Sequence, residues 1–230
     1  MKKINTQDCS TIEQKHPTWK NYWYGLNTTT NFGCITYLYK NYGCPNTIQE
    51  FYNCYVSDMP TAMYKNCGRT EAFLWYKAKL LQTLVGDNAP FNDYFVYICK
   101  KLFYDTFYGC KKEKEIWDIY TNKGFSCESP SIDEDCKYGI DIKVYQDGAL
   151  KYLFQVKPNT FFFGNRNASL INDRKSALQK EKLCNSIYHL PVYYYIYDKN
   201  TGEWLTNEKG GKGFKLKDLI NNDGTSKNKL

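Results

Sequence analysis

Residues 139–158 have the sequence GIDIKVYQDGALKYLFQVKP, which is the strongest indication of the architecture of the second half of the chain. Apolar and polar residues alternate on both sides of its centre, as they do in half-buried strands. The centre, residues 146–149, is a strong turn signal because Gly148 tolerates a positive φ. The stretch therefore predicts a β-hairpin, with two antiparallel strands and a tight turn between them.

The alternation also predicts which residues of the hairpin lie opposite each other. The apolar residues of both strands must share one face, and these are Ile140, Ile142, Val144, Tyr152, Phe154 and Val156. This requires that the numbers of opposed residues have an even sum, so the loop has an odd length. A three-residue loop from Asp147 to Ala149 places Asp141 opposite Gln155. Lys157 follows on the same face two residues later, so a carboxylate, an amide and an ammonium group are expected together.

The segments around the hairpin predict helices and one further strand. Residues 169–185 have apolar side chains at helical spacing, and residues 190–197 form a nearly continuous apolar run that is typical of a buried strand. Aromatic residues recur at helical spacing before the hairpin, in residues 47–55, 71–85, 92–107 and 112–120. We therefore expect an α/β sheet flanked by helices, with an extra helical region before it.

This order of elements divides the chain into three parts. Residues 1–108 are expected to form a mainly helical N-terminal region packed on the core, and residues 109–206 the α/β core. Residues 207–230 are expected to be a basic C-terminal extension. Within it, Lys209 to Gly213 resembles a phosphate-binding loop but lacks the Gly-Lys-Ser/Thr ending, so a flexible basic tail is the favoured interpretation.

The composition is that of a packed globular protein and excludes several other classes. Of the 230 residues, 42% are hydrophobic and 17% aromatic, which excludes a disordered chain. No uncharged apolar run approaches the roughly 18 residues of a membrane span, so no membrane association is expected. The N-terminus lacks the apolar segment of a secretion signal, so the ten cysteines are predicted to be reduced thiols of a cytoplasmic protein.

The charge of the chain favours a polyanionic partner. Its formal net charge is +7, and basic residues cluster in residues 100–114, 166–182 and 209–229. A solvated charged face is the commoner meaning of any one such cluster. Zinc is not expected, because the chain has only two histidines and no Cys-x-x-Cys pair.

The three polar residues of the hairpin suit the hydrolysis of a phosphodiester. Asp141, the Gln155 side chain and the backbone carbonyl of Val156 offer oxygen ligands to Mg²⁺. Lys157 can orient the attacking water or stabilise charge on the phosphate. A second acid is expected from a preceding helix, and Glu113 is the candidate because it lies on the apolar stripe of residues 110–117.

These residues resemble the motif of the PD-(D/E)XK nuclease superfamily, to which most type II restriction endonucleases belong. Asp141, Gln155 and Lys157 match its less common Gln-x-Lys form, and the order helix, hairpin, helix, strand in residues 111–197 matches its core. The chain departs from the motif because no proline precedes Asp141. The resemblance implies a restriction-endonuclease-like core with a mixed central sheet. It also implies a Mg²⁺-dependent DNA endonuclease, most simply a homodimeric type II enzyme that cuts a short double-stranded site.

The segment after the hairpin supplies candidates for DNA contacts. Asn165, Arg166 and Asn167 have side chains suited to reading base edges, and Arg174, Lys175 and Lys182 are candidates for phosphate contacts. Three alternatives stay open. The hairpin can be an ordinary surface hairpin, the chain can be a non-catalytic nucleic-acid-binding protein, or the same nuclease core can serve DNA repair or junction resolution.

Overall fold

Helices and one β-sheet make up the part of the chain that the computed structural model describes, which is residues 2–27, 32, 35–57, 70–163, 168–207 and 211–227. The described residues divide into two compact units, Met1–Cys110 and Lys111–Leu230. The α-helices are α1 (Thr6–Lys15), α2 (Ile35–Asn41), α3 (Ile48–Ser57), α4 (Glu71–Val85), α5 (Phe91–Cys99), α6 (Asp105–Thr121), α7 (Ile132–Tyr138), α8 (Asn159–Phe163), α9 (Ala168–Tyr188) and α10 (Leu216–Leu219). The strands are β1 (Ser126–Glu128), β2 (Ile142–Gln146), β3 (Ala149–Pro158), β4 (Val192–Tyr197) and β5 (Gly213–Lys215).

The first unit is helical and has an aromatic core. Trp19, in a 3₁₀ segment, is fully buried and stacks on Tyr94 with ring centroids 4.3 Å apart. Helix α4 begins after Thr70, whose side chain accepts a hydrogen bond from the Phe73 N–H. Both bounds of α4 confirm the helix predicted over residues 71–85. None of the described helices is long and apolar enough to cross a bilayer.

Helix α6 differs from the prediction, which ended one helix at residue 107 and began another at residue 112. A π-helical segment, Lys100–Tyr104, connects α5 to α6, and α6 continues through Gly109 without a break. A single glycine lowers helix stability by only about 1 kcal/mol, and the apolar positions on both sides of Gly109 outweigh that cost.

The second unit contains a five-stranded mixed sheet in the order β1-β2-β3-β4-β5. Strands β3 and β4 are parallel and the other three pairs are antiparallel. Helix α6 covers one face of the sheet through Ile116, and helix α9 covers the other through Ala177 and Cys184. The prediction of an α/β sheet flanked by helices is therefore confirmed.

Five elements of this unit are absent from the sequence prediction, namely β1, α7, α8, β5 and α10. Helix α7 has no buried residue, so it lacks the apolar periodicity that identifies a helix, although Ser131 and Glu134 form a capping box at its start. Strand β5 and helix α10 lie where a basic extension was predicted. Phe214 pairs with Tyr194 of β4, and Leu216 and Leu219 are buried. All eight cysteines that the structure describes are free thiols, as predicted.

Glu134 ties α7 to both β2 and α9. Its carboxylate accepts hydrogen bonds from the Ser131 N–H at 2.6 Å, the Tyr188 hydroxyl at 2.6 Å and the Lys143 ammonium at 3.1 Å. Burial alone would raise the pKa of Glu134, but these three donors lower it to about 2.

We expect Glu134→Gln to destabilise the fold by about 1–2 kcal/mol at pH 7. A carboxyl group with a lowered pKa stabilises the folded state above its unfolded pKa and loses this contribution as pH falls. The difference between wild type and variant should therefore shrink below about pH 4.5. Urea unfolding at pH 7 and pH 2.5 measures it. Asp133→Asn, on the exposed side of α7, is the control and should differ from wild type by less than about 0.5 kcal/mol at either pH.

Candidate functional site

The hairpin closes through a two-residue turn rather than the predicted three-residue loop. Asp147 and Gly148 both have positive φ, 51° and 76°, and Gln146 pairs with Ala149. An irregularity next to Val144 then leaves Lys151 as an extra residue in β3, so that Val144 pairs with Tyr152 and Ile142 with Phe154. Beyond this irregularity the sum of the paired numbers is 296, as predicted, and Asp141 directly precedes the paired residues, with its N–H bonded to the Phe154 carbonyl. The register is confirmed, but a bulge produces it.

The two faces of the hairpin pack against different layers. Ile142, Val144, Phe154 and Val156 share one core cluster with Ile116 of α6. Leu153 and Gln155 alternate to the other face, which α9 covers. The prediction for Ile140 is wrong, because Ile140 packs with Leu153 on the α9 side. Strand β2 begins only at Ile142, so the period of two does not extend back to residue 140.

Two hydrogen bonds to the backbone of β3 hold Asp141 in place, one from its own N–H and one to its carboxylate. Its N–H donates to the Phe154 carbonyl at 2.8 Å, and its Oδ2 accepts from the Val156 N–H at 2.7 Å. The half-buried carboxylate therefore has a defined position beside β3. Val156 contributes its N–H to this contact, and the metal-ligand role of its carbonyl stays a prediction.

The Gln155 amide occupies a space that Gly139 leaves open. Gln155 is only 7% exposed, and a Cβ on Gly139 would lie 3.0 Å from its Nε2. The same Cβ would lie 3.5 Å from the Lys180 side chain of α9. Gly139 has a φ of +63°, which ends helix α7, so one glycine both turns the chain and makes room for the amide.

Lys157 follows Gln155 on the same face of β3 and is half-buried. It pairs with Ile196 of β4, near the end of β3 that leads into α8. The contact with Val156 holds Asp141 beside the strand that carries Gln155 and Lys157. That all three side chains share one face stays a prediction.

Glu181 of α9 is an acid at this face that the sequence analysis missed. It is half-buried, and burial, with the charge of Asp218, raises its pKa to about 7. Burial raises the pKa of Tyr194 well above its usual value, and the charges of Glu181 and Asp141 add to that rise. Tyr194 pairs with Gln155 and belongs to the core cluster that α9 covers. The sequence does contain a signal for Glu181, because Ala177, Glu181 and Cys184 are spaced so that they lie on one face of a helix.

We expect Glu181→Gln to stabilise the fold by about 1–2 kcal/mol at pH 8. A carboxyl group whose pKa is raised favours the folded state below its unfolded pKa, and that advantage is lost as pH rises toward the folded pKa of about 7. Wild type and variant should therefore be nearly equal at pH 4. Thermal unfolding at pH 4 and pH 8 tests this. Equal stability at pH 8 would contradict the half-buried, raised-pKa assignment of Glu181.

Glu113 comes from the helix that covers the other face of the sheet. It is half-buried and lies one turn before Ile116, which packs with Ile142 and Phe154. Glu181, in contrast, comes from the helix that covers the face of Gln155. Glu113 as a metal ligand stays a prediction.

A metal site at the hairpin has oxygen donors but few carboxylates. Across the described ranges, no group of three or more His, Cys, Asp or Glu side chains is arranged to hold a metal ion. The donors that the hairpin offers are the Asp141 carboxylate and the Gln155 amide oxygen. Hard oxygen donors of this kind fit Mg²⁺, which binds one or two protein carboxylates and keeps several waters.

The predicted DNA contacts have different outcomes. Asn165, Arg166 and Asn167 lie outside the described residues. Lys175 and Lys182 are exposed on α9. Arg174 is fully buried, and its guanidinium donates to the carbonyls of Phe161 at 2.7 Å and Gly224 at 3.5 Å. This burial contradicts the predicted phosphate contact of Arg174.

Comparison of the chain with protein-family models, with curated proteins and with solved structures gives no match. The function must therefore be argued from the contacts of the chain itself.

Proposed function

We propose that the chain is a Mg²⁺-dependent DNA endonuclease of the PD-(D/E)XK type, which cuts a short double-stranded site as type II restriction endonucleases do. The observation that carries this proposal is the hydrogen bond from the Val156 N–H to Asp141, which holds the carboxylate beside the strand that carries Gln155 and Lys157. These are the side chains of the Gln-x-Lys motif, and the contact of Asp141 with the Val156 N–H fixes the acid beside it.

The order of elements supports the proposal. Helix α6 precedes the β2–β3 hairpin, and α9 leads from β3 to the parallel strand β4. Helix, hairpin, helix and parallel strand form the order that the resemblance implies for the nuclease core. The sheet is also mixed, as that core requires.

Asp141 and Gln155 are the residues that would hold Mg²⁺ in this site. The ion supplies positive charge at the phosphate and makes a coordinated water more acidic. The sequence analysis predicts Glu113 as the second acidic ligand of the ion. Glu181 is the acid that comes from the helix covering the face of Gln155.

Two side chains of this face suit the remaining tasks of phosphodiester hydrolysis. Lys157 offers an ammonium group that stabilises negative charge as it develops on the phosphate. Glu181 has a pKa of about 7, which suits a group that accepts a proton from water near neutral pH.

Exposed lysines on α9 support a DNA partner. Lys175 and Lys182 extend from the helix that covers the site, and the chain as a whole has a net charge of +7. A palindromic DNA site would be matched by two copies of the chain related by a two-fold axis, so the proposed enzyme is a homodimer.

Incubation of the purified chain with unmethylated phage DNA and Mg²⁺ tests the proposal. We expect discrete fragments that are absent when EDTA replaces Mg²⁺. A smear would indicate a nuclease of the same type without site specificity, as in repair. Intact DNA that is nevertheless retained by the protein in a gel-shift assay would contradict catalysis and favour a nucleic-acid-binding protein.

A further inference from the structure

A groove lies on the face of the sheet opposite to Gln155. It has a volume of about 590 Å³ and is bounded by the end of α6, the β3 and β4 strands, Asn207 and residues 211–213. Tyr152 and Phe154 of β3 line it, and these residues alternate with Leu153 and Gln155. The groove therefore lies on the opposite side of the sheet from Gln155 and Lys157, whose side we call the catalytic face.

Five of the residues that line this groove are aromatic. Two of them, Tyr120 and Tyr195, have hydroxyl oxygens 2.7 Å apart that are hydrogen-bonded to each other. Tyr152 has 37% of its surface exposed, and its ring is nearly parallel to that of Phe154. Tyr193 stands edge-on to Tyr152 with ring centroids 6.4 Å apart. An exposed ring over buried neighbours is a platform on which a flat ligand can stack.

The groove carries positive charge. Lys123 and Lys212 line it, and its described lining contains no Asp or Glu. The Lys123 ammonium lies 5.4 Å from the centre of the Tyr120 ring. The Asn207 side chain accepts from the Gly211 N–H and donates to the Gly213 carbonyl, both at 2.9 Å, and so fixes the segment that carries Lys212. The charge of this groove suits an anionic ligand.

We propose that the groove binds a nucleotide unit, with an unpaired base stacked on Tyr152 and its phosphate between Lys123 and Lys212. A volume of this size is in the range of small-ligand pockets, roughly 300–1,000 Å³. Aromatic rings stack on any base, and lysine ammonium groups pair with phosphate. This binding needs no metal ion and no residue of the catalytic face, so it goes beyond the proposed endonuclease activity.

The stacking part of the proposal is tested with a short single-stranded oligonucleotide that contains 2-aminopurine, in EDTA. We expect quenching of the base fluorescence on binding, and Tyr152→Ala should weaken binding by roughly 5- to 150-fold. Tyr152→Phe keeps the ring and should bind like wild type. Tyr76→Ala removes a tyrosine that is 53% exposed on α4 and should also bind like wild type.

The phosphate part is tested by titration at several salt concentrations. Lys123→Ala and Lys212→Ala should each lower the slope of log affinity against log salt by about 0.7, the value for one contact to a single strand. Lys151→Ala is the matched control, because Lys151 is exposed next to Tyr152 but does not line the groove. Circular dichroism establishes that each variant is folded.

Photo-crosslinking with 5-iodouracil locates the base and identifies the source of the nucleotide. Crosslinks at Tyr152 or Tyr193 with the oligonucleotide support the proposal, and crosslinks there with 5-iodo-dUMP show that a free nucleotide suffices. Absent binding, equal affinity of Tyr152→Ala and wild type, or crosslinks confined to other residues would each overturn it. All measurements are made without Mg²⁺, so loss of cleavage activity cannot produce any of these results.

Discussion

Asp141→Asn should reduce DNA cleavage by about 10²- to 10³-fold or more while leaving the fold intact. The variant keeps a carbonyl oxygen that accepts the hydrogen bond of the Val156 N–H, so the position of the side chain is preserved. It loses the negative charge that would hold Mg²⁺. Cleavage of phage DNA by equal amounts of wild type and variant, with unfolding curves for both, measures the two effects separately.

Lys157→Ala tests the same site from the adjacent strand, and Lys151→Ala is its matched control on β3. We expect cleavage to be lost in Lys157→Ala and retained in Lys151→Ala, because Lys151 is the extra residue of the bulge and is exposed. DNA binding should survive Lys157→Ala better than cleavage does. Cleavage near the wild-type rate in Asp141→Asn or Lys157→Ala would contradict the proposed active site.

Arg174→Ala should have the largest effect on stability, about 2–4 kcal/mol. The substitution removes donors from the carbonyls of Phe161 and Gly224 and leaves a cavity where a fully buried side chain had been. Urea unfolding at pH 7 measures the loss. DNA affinity in the folded variant should keep its salt dependence, because Arg174 does not reach the surface.

Lys175, the exposed neighbour of Arg174, is the control, and its substitution should have the opposite effects on stability and on the salt dependence of binding. Lys175→Ala should change stability by less than about 0.5 kcal/mol but lower the salt slope of duplex binding by about 0.9. Lys182→Ala should behave in the same way. If Arg174→Ala were as stable as Lys175→Ala, the assignment of Arg174 to the interior would be wrong.

The hairpin and its register were predictable because period-two alternation and a turn signal act over short distances. Helix α4 was predictable for the same reason, since its cap residue and its final glycine are adjacent in sequence to its ends. Ile140 was assigned to the wrong face because alternation carries no information on where a strand begins. The start of the strand is restricted by Gly139, because this residue ends α7 two residues before Asp141.

The interior face of α9 was harder to predict. Its buried stripe contains Arg174, Ala177, Glu181 and Cys184, of which two are charged, whereas apolar Leu183 is 47% exposed. A prediction that assigns the buried face from apolar residues alone places it on the wrong side of such a helix. Arg174 is retained in the interior by the carbonyls of Phe161 and Gly224, which are distant in sequence. Helix α7 escaped prediction because a capped surface helix buries nothing.

The bulge at Lys151 has a consequence for recognising chains that share this arrangement. Asp141 and Gln155 are fourteen positions apart in the sequence, but the bulge adds one residue that has no partner across the hairpin. A chain that lacks this residue would have its acid and amide thirteen positions apart and in the same relation across the hairpin. A pattern search with fixed spacing would miss such a chain. A search that allows a one-residue gap in the second strand, beside the turn, would recover it.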